Sequence, residues 1–354
     1  MDFGLSEEQD LLQETVRTFA RGECPEPRLR EIYDTETGYD PALWRGLSEL
    51  GIGGLIAPEA HGGAELELLD AALVAEALGG AALPAPYFGH TLACLALRLG
   101  GSPEQQERWL PRLASGDALG TVALGEGDHG WLPADWQTEL ANGALTGHKD
   151  WVPFAAQADL IIVGTRGDGL ALVERSATEL TPVDGVDRTR PVWSTRWNGA
   201  SAEPLGVAAT RICEAGAILL AADAFGAASK LIEMTRDYVQ TREQFGQPLA
   251  RFQAVKHQLA DMLTETEPTR ALWWFAAHAF DHRPGEAPLA AAQAKAHGTD
   301  VAMEVARSAF ELHGGIGFTW ECDVQFWFKR VIFDRTFLGT PDVHLDRSAQ
   351  LLGW

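Results

Sequence analysis

The distribution of apolar residues along the chain changes twice, and this order constrains the fold more than any other feature of the sequence. Up to about residue 115, and again after about residue 205, apolar residues recur at helical spacing. Between these stretches lie tryptophans, glycines and short β-branched runs, which are typical of strands. The order predicts a mainly α fold with a central β domain, divided into an N-terminal α-helical domain over 1–115, a middle β domain over 116–205 and a C-terminal helical bundle over 206–354.

Capping residues mark the helix ends in the first domain. Ser6 followed by Gln9 has the spacing of a capping box and predicts a helix at the start of the chain. Gly51 and Gly79 are predicted to end two later helices. Further helices of this domain are predicted at 41–47, 68–78, 92–99 and 103–113.

Strands and then longer helices are predicted after residue 116. The clearest strands are Leu-Ile-Ile-Val at 160–163 and Leu-Ala-Leu-Val at 170–173. In the last third of the chain the helical pattern returns, with predicted helices at 212–239, 250–281, 287–312 and 320–334.

The charge of the chain argues against two classes of partner. Fifty Asp and Glu residues against 28 Lys and Arg give a formal net charge of −22, which repels nucleic acid and an anionic membrane surface. Charges or prolines interrupt every apolar run before the roughly 20 residues that span a bilayer, so no membrane helix is expected.

The cysteines and the N-terminus indicate where the protein resides. The four cysteines are widely spaced and form no CxxC pair, which predicts neither a disulfide framework nor a metal site. The first six residues lack the basic and apolar regions of a signal peptide. A cytoplasmic location is therefore expected.

Three sequence blocks resemble the acyl-CoA dehydrogenase family. The first runs from Leu-Trp-Arg-Gly-Leu at 43–47 to Pro-Glu-Ala-His-Gly-Gly at 58–63. The second runs from Arg-Glu-Gln-Phe-Gly at 242–246 to Phe-Gln at 252–253, and the third is Leu-His-Gly-Gly-Ile-Gly-Phe-Thr at 312–319. Each block alone is weak, but their order within a chain of helices, strands and helices is consistent. The resemblance implies that the middle domain is a small β-barrel or sandwich and that the last domain is a four-helix bundle.

The resemblance also implies a reaction. Family members use FAD to remove a proton and a hydride from adjacent carbons of an acyl-CoA thioester, and an electron-transferring flavoprotein is the implied acceptor. The α-proton is very weakly acidic, so the reaction requires a positioned carboxylate base and hydrogen bonds to the thioester carbonyl. The hydride goes to the flavin, which performs the step that side chains cannot.

The chain lacks the base that the resemblance implies. The family's usual Tyr-Glu-Gly-Thr loop is Phe-Leu-Gly-Thr at 337–340, and Leu338 has no ionisable group. The family's alternative position falls on Gly216, so no catalytic residue is predicted at either place. Four carboxylates remain as unconventional candidates, with Asp342 the one kept as an alternative base: Glu214, Asp223, Asp334 and Asp342.

The middle domain also lacks motifs that the resemblance implies. Where relatives carry a Thr-Glu-Pro segment that ends in Gly-Ser-Asp, this chain has Ala-Leu-Gly-Glu-Gly-Asp-His-Gly at 123–130. Where relatives carry Trp-Ile-Thr or Trp-Ile-Ser, it has Trp-Val-Pro at 151–153. Pro153 has neither a hydroxyl nor an N–H group, so the contacts to the flavin ring are predicted to be lost.

Residues that relatives use to hold the FAD of a neighbouring subunit are retained. Arg242 is predicted to bind phosphate, Phe245 to pack at the adenine end, and the glycine pair to bring backbone N–H groups close to the pyrophosphate. Glu311 replaces a common Gln, and a carboxylate there is unfavourable unless it faces an Arg or the adenine amino group. The predicted FAD contacts are Arg242, Phe245, Gly246, Gln253, Glu311, Gly314, Gly315 and Thr340.

These losses and retentions suggest one subunit of an α2β2 pair, in which a homologous subunit supplies the flavin pocket and the base. Unequal pairs of this family act on bulky CoA thioesters in actinobacterial steroid degradation, so the analogy extends to a steroid side chain. Two alternatives stay open. One is a homotetrameric acyl-CoA dehydrogenase with a displaced carboxylate base, and the other is a non-catalytic scaffold with the family fold.

Overall fold

The computed structural model describes residues 4–127 and 130–354, and its elements follow the predicted order of helices, strands and helices. The helices before the strands are α1 (Glu7–Glu23), α2 (Glu26–Tyr33), α3 (Pro41–Glu49), α4 (Leu68–Gly80), α5 (Tyr87–Gly100) and α6 (Pro103–Ser115). The strands that follow are β1 (Gly120–Ala123), β2 (Glu139–Ala141), β3 (Ala144–Pro153), β4 (Leu160–Thr165), β5 (Gly169–Glu174), β6 (Glu179–Val183) and β7 (Val192–Leu205). The last part holds α7 (Ala209–Thr241), β8 (Glu243–Gln244), β9 (Gln247–Pro248), α8 (Gln253–His282), α9 (Ala287–His313), α10 (Val324–Thr336) and α11 (Pro341–Leu351).

Two compact units interleave along the chain. The helical unit comprises the residues up to Leu29, Ala72–Leu83 and Ala217–Trp354, and the sheet unit comprises Arg30–Ala71 and Pro84–Gly216. The helical unit therefore takes α1 and most of α4 from the N-terminal region. The division into three consecutive domains stays a prediction.

A seven-stranded sheet forms the middle of the sheet unit. Its strand order is β1-β4-β5-β7-β3-β2, with β6 also paired to β7. β1 and β4 run parallel, and the remaining pairs are antiparallel. The apolar runs that predicted strands at 160–163 and 170–173 form β4 and β5, which are paired and buried because they face the core of this unit.

Close backbone approaches join α4 and α7 in the helical unit. The prediction that Gly79 ends its helix is wrong, since α4 continues to Gly80. A Cβ on Gly79 would lie 2.2 Å from the carbonyl oxygen of Asp223, and one on Gly226 would lie 2.0 Å from that of Glu76. Glycine is needed at both positions because the helices touch there.

The helix α7 corrects the expectation about membrane spans. By length and composition it is apolar enough to cross a membrane, yet 83% of its most apolar window is buried inside the protein. The aromatic ring of Phe225 packs 6.3 Å from that of Trp273 on α8, and this burial explains the apolar composition without a bilayer. Trp273 is itself buried and belongs to the core of the helical unit.

Local capping decides several helix boundaries. The predicted capping box of α1 is present, since Ser6 Oγ accepts from the Gln9 backbone and the Gln9 side chain accepts from the Ser6 N–H. The last helix begins at Pro341, with Thr340 as its N-cap, and Asp342 lies in its first turn. His344 is the fourth residue of the same helix.

Candidate functional site

The Arg-Glu-Gln-Phe-Gly motif forms a tight hairpin directly after α7. The Arg242 N–H donates to the Tyr238 carbonyl at 2.8 Å, and the Leu249 N–H donates to the Arg242 carbonyl at 2.9 Å. Phe245 and Gly246 have φ values of +53° and +79°, as a two-residue hairpin turn between β8 and β9 requires. Arg242 is exposed and the Phe245 side chain is 92% exposed, so both are available to a ligand or a second subunit.

The glycine pair after α9 presents open backbone. Gly314 has φ of +64° and ends the helix. An ideal Cβ on Gly314 or Gly315 would meet nothing within 4 Å. The Gly314 N–H donates to the Glu311 and Phe310 carbonyls, so the open space lets an anion approach the backbone of Gly315.

The hairpin and the glycine pair are held together by a tyrosine and a histidine. The rings of Tyr238 and His313 stack with their centroids 4.4 Å apart, and the Tyr238 hydroxyl donates to the His313 carbonyl at 3.2 Å. Tyr238 lies one turn before Arg242, and His313 immediately precedes Gly314. The His313 ring is bonded to the Ala309 carbonyl of its own helix at 2.8 Å, so it positions the turn, and burial lowers its pKa.

Two further predicted residues lie at the adjoining ends of α8 and α9. Gln253 is the first residue of α8 and is exposed. The Gln258 side-chain amide donates to the Glu311 carboxylate at 3.5 Å, so Glu311 faces α8. The structure thus brings the predicted FAD contacts of the second and third sequence blocks into one region of the helical unit.

The loop at 337–340 is a separate feature that connects α10 to α11. Leu338, at the position of the family base, has φ of +59° and is only 2% exposed. Its carbonyl accepts from His344 Nε2 at 2.9 Å. Burial lowers the pKa of His344 to about 3, and the nearby Lys295 charge acts in the same direction. The ring of His344 is therefore neutral near pH 7 and serves to hold the loop.

The candidate carboxylates have other roles. Asp223 accepts two hydrogen bonds from Arg330, at 2.7 and 2.8 Å, in a buried bidentate pair. Glu214 lies 3.6 Å from Arg211, one turn earlier on α7. Asp334 is buried beside Lys295, whose pKa its charge raises against the larger lowering effect of burial. Asp342 is exposed in the first turn of α11, where a carboxylate favours the helix dipole.

In the sheet unit, the segments that depart from the family are bonded to neighbouring strands and loops. The Pro153 carbonyl accepts from the Thr121 hydroxyl at 2.6 Å. The Glu126 carboxylate accepts from the Gln137 and Thr138 N–H groups and lies 2.9 Å from the ammonium of buried Lys149. Asp128 and His129, which complete this segment, lie outside the described residues.

Two parts of the chain match known protein domains. Residues 6–117 match the N-terminal domain of acyl-CoA dehydrogenases, and residues 205–353 match the C-terminal domain. The chain belongs to the acyl-CoA dehydrogenase family. It is 34% identical over 336 residues to the acyl-CoA dehydrogenase IpdE2 of Mycobacterium tuberculosis, covering 95% of this chain and 94% of that protein.

Two solved structures of the family are also similar. A variant of the Tcur3481–Tcur3483 steroid ACAD has a TM-score of 0.91 and 30% identity, covering 98% of each chain. The ChsE4–ChsE5 complex from Mycobacterium tuberculosis has a TM-score of 0.91 and 29% identity, covering 100% of this chain and 99% of that one.

FAD is the cofactor of this family, and the residues present fit one end of it. An exposed arginine, an exposed aromatic ring and two open glycines suit the pyrophosphate and the adenosine. The flavin-ring contacts do not fit, because Pro153 offers no donor and Glu126 is occupied by two backbone N–H groups and Lys149.

Tyr238 and Lys295, which support the hairpin and the loop at 337–340, are not among the residues that the sequence singled out. Tyr238 falls within one predicted helix, and Lys295 falls within another that is rich in alanine. A usable sign was present for the lysine, because Ala291, Lys295 and Thr299 fall on one face of α9, and all three are buried.

Proposed function

We propose that this chain is the subunit of a FAD-dependent acyl-CoA dehydrogenase that completes a FAD site in a homologous partner subunit, which supplies the catalytic base. One observation carries the proposal. At the base position stands Leu338, buried and without an ionisable group, while Arg242 and the glycine pair remain open to a ligand. The partner arrangement is an α2β2 heterotetramer.

The chain's own residues have defined tasks in this proposal. Arg242 binds the pyrophosphate with charge-assisted hydrogen bonds, Gly315 offers its N–H to the same anion, and Gly314 leaves room for its approach. Phe245 covers the adenine end, Gly246 makes the turn, and Gln253, Glu311 and Thr340 are further contacts. When bound, FAD supplies the acceptor for the β-hydride, and an electron-transferring flavoprotein receives the electrons.

The substrate class follows from the relatives. One solved relative is described as a steroid ACAD, and another is a complex of two different proteins, ChsE4 and ChsE5. We therefore propose the α,β-dehydrogenation of a steroid side-chain CoA thioester. We also infer a cytoplasmic location, which agrees with four cysteines in the thiol form.

The deciding experiment compares the chain expressed alone with the chain co-expressed with the homologous subunit encoded beside it. Bound flavin is measured by absorbance, and native mass by light scattering. The proposal expects a yellow heterotetramer with one FAD for each pair of unlike chains. Little flavin is expected on the chain alone.

Two other outcomes would overturn the proposal. A yellow homotetramer with one FAD per protomer, reduced by acyl-CoA, would point to a displaced base such as Asp342. A colourless complex with every partner present would point to a scaffold protein. If the expected yellow heterotetramer forms, its Arg242→Ala variant should lose flavin and keep the same native mass.

A further inference from the structure

A buried lysine contacts the loop at 337–340, and the proposed function makes no use of it. Lys295 lies in the middle of α9 and is 0% exposed. Its ammonium donates to the backbone carbonyls of Asp334, Arg335 and Gly339, at 2.6, 3.1 and 3.1 Å. The first two carbonyls belong to the last turn of α10, where no helical N–H is available, and the third belongs to the loop.

These three contacts demand a charged lysine. Three acceptors need three N–H donors, and only the ammonium form has three. Burial lowers the pKa of Lys295 to about 7, while the negative charge of buried Asp334 raises it. A buried ammonium is costly unless it is hydrogen-bonded, and these three carbonyls on one loop and one helix end meet that need.

The loop itself adopts a conformation that its sequence disfavours. Leu338 has φ of +59° and Gly339 has φ of +103°, yet a leucine rarely occupies the left-handed region. His344 holds the Leu338 carbonyl from α11, and Lys295 holds the next carbonyl from α9. His344 and Lys295 bind the peptide groups on either side of Gly339, and Lys295 also binds the end of α10, so the backbone is held both before and after residue 338.

We propose that Lys295 is a positioning residue that pins the loop and thereby fixes side chain 338 at the place where relatives carry the base. In this chain residue 338 is an apolar leucine that is almost fully buried, so its side chain fills the position where relatives carry the base. The inference rests on the proposed function only in identifying position 338 with the base.

The test is hydrogen–deuterium exchange of the full-length chain, followed by mass spectrometry, for wild type and Lys295→Met. Methionine keeps the apolar stem and removes all three donors. Peptides covering 337–345 should exchange at least about 10-fold faster in the variant, while peptides from α7 and β5 stay at wild-type rates, because only local opening is favoured. The matched control is Thr299→Val, one turn further along α9, whose buried hydroxyl donates to the Lys295 carbonyl.

The outcomes separate positioning from general core stability. Equal loosening of all peptides, or the same pattern in Thr299→Val, would overturn the proposal. Should Lys295→Met not fold, Lys295→Gln keeps two N–H donors and should loosen the same peptides by a smaller factor. Failure of both variants to fold would also reject positioning in favour of a general structural role. Since no flavin or partner is needed, selective loosening stands even if the co-expression experiment fails.

Discussion

Arg242 is the single side chain on which the proposed FAD contact depends most. Its guanidinium is exposed at the end of α7, and the backbone on both sides of it is fixed by hydrogen bonds to Tyr238 and Leu249. The side chain is therefore presented from a rigid base, which limits the entropy lost when it binds phosphate.

We expect Arg242→Ala to weaken FAD binding to the heterotetramer by about 10- to 100-fold, because a charge-assisted hydrogen bond contributes roughly 1.5–3 kcal/mol. Arg242→Lys should recover part of the loss. Arg236→Ala is the control, since Arg236 is also exposed on α7 but pairs with Asp237 at 2.8 Å. Titration of the apo complex with FAD, followed by flavin fluorescence, measures the effect. Equal weakening by both alanine variants would contradict a specific contact.

A second residue, His90, should make stability depend on pH. Its Nε2 is bonded to the Gly53 carbonyl at 2.9 Å, and its Nδ1 accepts from the Gly120 N–H at 3.3 Å, which suits only a neutral ring. Burial lowers the pKa of His90 from 6.5 to about 4. Above pH 6.5 the ring is neutral in both the folded and unfolded states, and its contribution to stability is complete.

Between pH 6.5 and 4, the ring of His90 becomes protonated in the unfolded chain but stays neutral in the folded protein. The free energy of unfolding should therefore fall by about 1.4 kcal/mol for each pH unit because of this residue. Urea unfolding at several pH values gives the slope. His90→Gln should reduce the slope by about one proton. A slope unaffected by His90→Gln would refute the assignment.

Single residues also show how far the sequence alone can be taken. Arg242, Gly314 and Leu338 could be singled out because short sequence blocks around them resemble those of the family. Lys295 could not be given a role in this way, because its acceptors lie about 40 positions away in the chain and are backbone atoms. Contacts to backbone carbonyls leave no mark on the sequence of the acceptor.

At the scale of elements, the helices were predicted well where capping residues are local. Ser6 and Gln9 define the start of α1 because both partners lie within one turn. Gly79 misled the prediction because a glycine has two uses, ending a helix or allowing close packing, and only the position of α7 decides between them.

The contact between α4 and α7 gives a prediction about elements. Gly226→Ala should destabilise the protein by more than about 2 kcal/mol, because overpacking forces the backbones apart. The added Cβ would lie 2.0 Å from the Glu76 carbonyl oxygen. Thermal unfolding monitored by circular dichroism measures the loss.

Gly22→Ala in α1 is the matched control. A Cβ there meets nothing within 4 Å, so the substitution should be neutral or stabilise by about 0.5–1 kcal/mol through helix propensity. If the two variants changed the melting temperature alike, close packing would not be the reason for the glycine at 226.

At the scale of the whole molecule, the order of elements in the sequence and their grouping in space differ. The match to the C-terminal domain begins at residue 205, yet the helical unit also includes α1 and most of α4. The Trp327 indole donates to the Gly80 carbonyl at 2.9 Å, and Gln13 donates to both Leu73 and Glu76. The residue patterns predicted whether each region is helical or stranded. They could not show that α1 and α4 pack with the C-terminal helices.

We therefore expect a fragment of residues 206–354 not to fold on its own. Without α1 and α4, it would expose the apolar surface that they cover, and burial of that surface is the main source of stability. Circular dichroism should show a broad thermal transition, and the fragment should bind a hydrophobic dye. A sharp transition near the melting temperature of the full chain would show that the C-terminal helices suffice.

The burial of α7 has a consequence for the synthesis of the protein. On α7, Phe225 packs on Trp273 of α8, and Asp223 pairs with Arg330 of α10. Both partners of α7 therefore emerge from the ribosome later than α7 itself. At roughly 5–20 residues per second, several seconds pass before the nascent chain can cover this helix. During that interval a segment apolar enough for a bilayer is exposed to water, which makes it the part of the chain most in need of a chaperone.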